Sequence, residues 1–270
     1  MTNPDPVVSA EWLYEHLDDP QVAIADCRFS LTDAELGRQQ YQTGHIPGAY
    51  YLDLNRDLSS PVSQHGGRHP LPNPTLLADK LSAMGVNSQT LVVAYDDSRF
   101  AFAARLWWLL RYLGHNKVAV LDGGFKGWAA RYPVTAATPP CDHSSFFPQL
   151  QQNLVVDIAF VKTRIESEEV VLVDSRESDR YTGEREPFDR IAGHIKGAVN
   201  YPWQEVSDPQ GYLHSVAWQR CRWEKLEQAE EIIVYCGSGV TACVNLLSLK
   251  MAGVDTGKLY SGSWSDWCSY

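Results

Sequence analysis

The sequence predicts an α/β protein in which one parallel-sheet unit is built twice. The first observation behind this is an internal repeat. An apolar run ends in Asp26-Cys27-Arg28 and is followed by Gly44-His45-Ile46-Pro47-Gly48-Ala49; a second run, Val171-Leu172-Val173, ends in Asp174-Ser175-Arg176 and is followed by Gly193-His194-Ile195-Lys196-Gly197-Ala198. In the same order, Leu91-Val92-Val93-Ala94-Tyr95 corresponds to Glu231-Ile232-Ile233-Val234-Tyr235, and the stretch from Leu121 to Trp128 to that from Tyr260 to Trp267. The second observation is alternation. Short β-branched runs bounded by turn residues alternate with stretches of helical period, as in parallel strands joined by crossover helices.

Taken in order, Leu91 to Val93, Val118 to Leu121, Val170 to Val173 and Ile232 to Val234 read as strands buried on both faces. A helix is expected from Asn73, which can cap it, through Pro74 at its first position, with Leu77, Leu81 and Met84 on one face and a stop at Gly85. Another is expected from about Ala101 to Leu113, ending at Gly114 and too apolar all round to face water. Between the copies, Thr135, Thr138, Pro139, Pro140, Ser144 and Ser145 give linker composition. The expected organisation is therefore a domain over 1–132, a linker over 133–152 and a second domain over 153–270.

Composition narrows the function classes. The 270 residues carry 23 Lys+Arg against 33 Asp+Glu, a formal net charge of −10, so the long-range field repels phosphate backbones and anionic lipid. Neither nucleic acid nor membrane is an expected partner. No apolar run is long enough to span a bilayer, and Met1 to Val8 lacks the basic-then-apolar order of a signal peptide, so a cytoplasmic protein is expected. The six cysteines, at 27, 141, 221, 236, 243 and 268, form no Cys-x-x-Cys pair, which suits reduced thiols better than a disulfide framework or a metal knuckle.

The copies differ where a strand should hand over to a helix. Tyr95 is followed by Asp96-Asp97-Ser98-Arg99, whereas Tyr235 is followed by Cys236-Gly237-Ser238-Gly239-Val240-Thr241. A cysteine at the carboxyl end of a buried parallel strand sits where open α/β sheets bind their ligands. It also faces the N–H groups that open the next helix, which favour an anion there. Glycines at 237 and 239 let the backbone curl its amides around the sulfur. A purely packing cysteine needs no such ring. Cys243 is expected to pack on the following helix, and Cys268 lies near the C-terminal end, where oxidation without a chemical role is an alternative.

These residues together resemble the two-domain rhodanese-type sulfurtransferases, the group of mercaptopyruvate and thiosulfate sulfurtransferases, over nearly the whole chain. The resemblance implies two tandem rhodanese-like domains, each a mainly parallel sheet flanked by helices, with the nucleophile in the second. The loop at 236–241 is similar to that of the mercaptopyruvate enzymes; the thiosulfate enzymes commonly carry basic residues after the cysteine, and none stands here. What the resemblance implies is a ping-pong reaction: Cys236 takes the outer sulfur of an anionic donor as a persulfide held by residues 237–241. It then passes that sulfur to cyanide or a thiol, including one on a thioredoxin-like protein. No metal or organic cofactor is implied.

An anionic donor demands local positive charge. Arg180, in Arg180-Tyr181-Thr182-Gly183, matches the family's substrate arginine, and a guanidinium fork suits a carboxylate or thiosulfate. For the second family arginine, Arg190 is preferred to Arg185. His69, before Pro70-Leu71-Pro72, matches a family histidine that reaches the active loop from the first domain and could relay a proton with Ser238. Its family aspartate partner corresponds to Asn55, a departure from the pattern. His45 and His194 recur inside glycine-flanked turns in both copies, which favours structural hydrogen bonding over metal ligation. Two other readings stand beside the sulfurtransferase. One is a non-catalytic or persulfide-carrying module for a protein partner. The other is a cysteine phosphatase, weakened because Ala242 stands where those enzymes carry their phosphate-binding arginine.

Overall fold

Each copy of the repeat folds into one five-stranded sheet whose pairings are parallel. The computed structural model describes residues 5–139 and 143–270, so Cys141 and part of the expected linker lie outside the described residues. In the first unit the strands are β1 (Val7–Val8), β2 (Val22–Asp26), β3 (Tyr50–Tyr51), β4 (Leu91–Tyr95) and β5 (Val118–Leu121), in the order β1-β5-β4-β2-β3. The second unit repeats the plan with β6 (Val155–Val156), β7 (Val170–Asp174), β8 (Val199–Asn200), β9 (Glu231–Tyr235) and β10 (Gly257–Tyr260), in the order β6-β10-β9-β7-β8. In each, the middle strand, β4 or β9, ends in a tyrosine and is the one followed by the divergent loop. The two matched runs pair in matched registers: Asp26 lies opposite Tyr95 and Asp174 opposite Tyr235.

The compact units do not follow chain order throughout. The first gathers the described residues of 1–60, 72–150 and 209–213; the second gathers 61–71, 151–208 and 214–270. His69 therefore belongs to the second unit. No helix among the described residues is long and apolar enough to cross a membrane.

Local sequence explains the elements. The helix Pro74–Ala83 starts at Asn73, whose side chain accepts the N–H groups of Thr75 and Leu76, and it buries Leu77, Ala78 and Leu81. It ends before Gly85, which takes the left-handed conformation at φ 77°. The helix Ala103–Tyr112 begins two residues later than its periodicity suggests, because Arg99 and Phe100 take positive φ of 58° and 72°. The repeated Asp-x-Arg and Gly-His-Ile motifs are one device. Arg28 binds Asp26 at 2.6 Å and the Gly44 carbonyl at 2.7 Å; Arg176 binds Asp174 at 2.6 Å and the Gly193 carbonyl at 2.6 Å. A bidentate guanidinium thus ties each strand end to the following turn. In those turns His45 and His194 place Nδ1 on the carbonyls of Tyr41 and Tyr181 at 2.7 and 2.8 Å and stack on the same tyrosine rings. Both imidazoles serve the backbone.

In the first unit the loop after the middle strand closes on its own side chain. The Asp96 carboxylate accepts four N–H groups, from Ser98 (2.8 Å), Phe100 (3.1 Å), Phe102 (2.8 Å) and Ala103 (2.8 Å). Burial pushes its carboxyl pKa up while the amide hydrogen bonds pull it down. Asp96→Ala would leave these donors buried and unpaired, at a cost on the order of 3 kcal/mol. Urea unfolding monitored by tryptophan fluorescence should show a clearly lowered midpoint, and an unchanged midpoint would mean the loop holds itself without the carboxylate.

Candidate active site

Strand β9 is buried along its whole length, and Cys236 follows it directly, 2% exposed. The backbone of Cys236 is fixed at both ends: its N–H donates to Ser263 Oγ (3.2 Å), and its carbonyl accepts the Trp264 N–H (3.0 Å). The Gly237 carbonyl accepts the Ser265 N–H at 2.9 Å. The short helix Ser263–Trp267 therefore positions the nucleophile's main chain. The Cys236 sulfur accepts the N–H of Gly239 at 3.2 Å. Gly239 takes φ 76°, and a Cβ there would lie 2.3 Å from the Ser261 carbonyl oxygen, so only glycine lets this amide turn to the sulfur. Val240 is buried, Thr241 opens the helix Ala242–Ala252, and Cys243 is fully buried with its thiol toward the Gly239 carbonyl at 3.5 Å.

Ser238 and His69 meet. His69 Nδ1 lies 2.8 Å from Ser238 Oγ, and both residues are buried. Since residues 61–71 belong to the second unit, this contact is internal to the unit that carries Cys236. Asn55 belongs to the first unit, where its N–H donates to Asp53 Oδ1 at 2.8 Å.

Two guanidinium groups converge beside the nucleophile. A Cβ at Gly237 would lie 3.0 Å from Arg68 Nη2 and 3.4 and 3.5 Å from the Arg180 Nη2 and Nη1 atoms, so the missing side chain makes room for both. Arg180 is carried by the short helix Ser178–Thr182 and held by Glu186 at 2.8 Å. Glu186 also binds Arg176 at 3.1 Å, linking the site to the ion pair that ties the β7 end to its turn. Burial raises the Glu186 carboxyl, but the Phe188 N–H and the Arg180 guanidinium outweigh it and hold it below the usual range. Arg68 pairs with Asp189, whose second oxygen lies 3.6 Å from Arg180. Burial pushes the Asp189 carboxyl up, helped by Glu186 and opposed by both arginines. The Arg180 Nε is buried without a hydrogen-bond acceptor.

Other sequence candidates fall elsewhere. Arg190 is exposed and lines a cavity of about 450 Å³ together with Arg68, Phe188, Asp189, Ser265 and Cys268, and is not among the groups nearest Gly237. Arg185 pairs with Asp179 at 2.6 Å on the exposed side of the same segment. Among the described residues no cluster of three or more His, Cys, Asp or Glu side chains could hold a metal ion. Arg68, Glu186 and Asp189 were not among the sequence candidates. The signal for Arg68 was its place directly before His69.

This arrangement can be set against known proteins. The profile of the rhodanese-like domain matches residues 9–131 and again 157–270. The chain belongs to the rhodanese family. A protein of Pseudomonas aeruginosa named a probable 3-mercaptopyruvate sulfurtransferase is 41% identical over 267 residues, covering 97% of this chain and 94% of that one. The 3-mercaptopyruvate sulfurtransferase of Escherichia coli K12 is 34% identical over 96% of this chain and 94% of its own. The rat thiosulfate sulfurtransferase is 31% identical over 97% and 91%. Among solved structures, the Escherichia coli crystal structure described as a 3-mercaptopyruvate sulfotransferase of rhodanese fold superposes with a TM-score of 0.85 at 33% identity, covering 96% of this chain and 99% of that one. Both copies of the repeat are thus rhodanese-like domains, each a parallel five-stranded sheet flanked by helices.

Among the cysteines at this end of the sheet, Cys268 is held as a thiol. Burial, with Asp189 adding to it, pushes its pKa up to about 11. Because the thiolate is the reactive form, its alkylation by iodoacetamide should rise about tenfold per pH unit from neutrality toward that value. Peptide mapping after timed labelling checks this; a rate that levels off near pH 8 would contradict it.

Proposed function

We propose that the protein moves a sulfane sulfur from a small anionic donor to a thiophilic acceptor through a persulfide on Cys236. It is a sulfurtransferase, as are the family relatives that match it over nearly its full length. The observation that carries the persulfide route is the Gly239 N–H directed at the Cys236 sulfur at 3.2 Å, in a loop with no side chain at Gly237. Such a donor stabilises negative charge on sulfur both when it attacks and when it leaves.

3-Mercaptopyruvate is the favoured donor and thiosulfate the alternative, because residues 237–241 carry no basic side chain and the charge beside Cys236 comes from arginines that suit a planar carboxylate. The Cys236 thiolate attacks the donor sulfur. An S–S bond forms, the C–S bond breaks, and the electron pair leaves with carbon as the enolate of pyruvate. That enolate takes a proton, for which the Ser238 hydroxyl, hydrogen-bonded to His69, serves as the relay. An acceptor thiolate or cyanide then attacks the outer sulfur, and Cys236 departs as thiolate, restoring the enzyme. The acceptor is a small thiol, cyanide or a thiol of a thioredoxin-like protein. Arg180 supports donor binding, since it lies beside Gly237 and retains a buried Nε donor without an acceptor.

Intact mass after incubation with 3-mercaptopyruvate should show one added sulfur, removed by cyanide and absent in Cys236→Ser. Failure to load sulfur from either donor would overturn the reading. Losing a charged hydrogen bond worth roughly 1.5–3 kcal/mol, Arg180→Met should raise the KM for 3-mercaptopyruvate about 10- to 100-fold. Steady-state kinetics with a fixed acceptor measures this, and an unchanged KM would remove Arg180 from the donor site.

A further inference from the structure

We propose that Arg68 is the second donor-binding guanidinium of this site, taking the carboxylate of a 2-oxo-acid donor in place of the internal carboxylate of Asp189. The inference deepens the sulfurtransferase reading and rests on Cys236 being the nucleophile. The sequence places Arg68 far from the loop, yet its Nη2 comes within 3.0 Å of a Cβ position at Gly237, nearer than either terminal nitrogen of Arg180. Its main chain is fixed to the same frame as the nucleophile: the Arg68 N–H donates to Ser265 Oγ at 3.1 Å, while the Ser265 N–H donates to the Gly237 carbonyl at 2.9 Å. One serine thus sets the spacing between the arginine and the loop.

The charge pattern fits a carboxylate ligand. Asp189 binds Arg68 through one oxygen, and its other oxygen, buried without a hydrogen bond, lies 3.6 Å from Arg180. A carboxyl group therefore already bridges the two guanidinium groups, with geometry that leaves one oxygen poorly served. A donor carboxylate reaching both arginines has the same chemistry and the advantage of Arg180 Nε, which has no acceptor. Access differs between the two. The Arg68 side chain is 32% exposed, against 8% for Arg180, and it lines the 450 Å³ cavity, so it can meet an incoming anion first. The Phe188 ring lies near both guanidinium groups, its centroid 5.6 Å from Arg68 and 5.0 Å from Arg180.

The test compares alkylation of Cys236 by iodoacetate, which carries a carboxylate, with that by neutral iodoacetamide. Thiolate reactivity affects both reagents and cancels in the ratio. Relative to the unmodified protein, Arg68→Met should lower the iodoacetate-to-iodoacetamide rate ratio roughly tenfold, and Arg68→Lys should lower it less, because a point charge survives without the fork. The double variant Arg68→Met with Asp189→Asn removes the carboxylate that the single change leaves unpaired, and should keep the low ratio. An unchanged ratio in Arg68→Met overturns the proposal. So does a double variant that returns to the original ratio, for then Arg68 only neutralises Asp189. The readout needs no sulfur transfer, so a failure of sulfur loading would overturn the proposed function while this ratio still reports on Arg68.

Discussion

In both units the turn at the carboxyl end of the middle strand aims backbone N–H at the side chain that opens it, four amides at Asp96 in the first and the Gly239 amide at Cys236 in the second. Such a turn must be given an anion or an acceptor, since buried donors left unpaired are costly. In the first unit the chain supplies its own: the Asp96 carboxylate takes four amides and leaves the loop filled. In the second unit a sulfur atom stands at the matched position and takes the Gly239 amide. One scaffold thus gives a closed loop with a carboxylate and a loop suited to transient charge with a thiol. The buried central strands and the Asp-x-Arg ties are what keep either turn in place.

Electrostatics around Cys236 is local and balanced. A chain of net charge −10 offers an anion nothing at long range. Close to the loop, Arg180 is set by Glu186 and Arg68 by Asp189, and Glu186 extends the Asp174–Arg176 pair into the site. The carboxylates orient the guanidinium groups, which leaves their binding capacity dependent on geometry more than on excess charge.

The fold was legible because its signals are periodic and doubled. Asn73-Pro74 and Gly85 bound a helix by capping and a left-handed residue, and the β-branched runs became β4, β5, β7 and β9 with small changes at their ends. Cys236 could be singled out because two copies of one motif can be compared and only one carries a thiol. Arg68 and Asp189 could not be found that way. Chain order assigns Arg68 to the first copy, while the folded chain groups residues 61–71 with the second. No local pattern encodes that regrouping, because it depends on contacts such as Arg68 to Ser265 that are distant in sequence. Asp189 and Glu186 sit in a charged segment whose polar composition reads as an ordinary exposed loop, and only tertiary pairing distinguishes them from Arg185.

In this mechanism a main-chain amide, that of Gly239, stabilises the charge of the reacting sulfur. Nuclear magnetic resonance of the uniformly nitrogen-15-labelled protein, before and after loading with 3-mercaptopyruvate, reports on this hydrogen bond. Because the charge sits on Sγ in the free thiolate and moves to the outer sulfur in the persulfide, the Gly239 amide proton should move upfield on loading and return downfield when cyanide removes the sulfur. A Gly239 resonance that stays in place while the mass confirms a persulfide on Cys236 would contradict it.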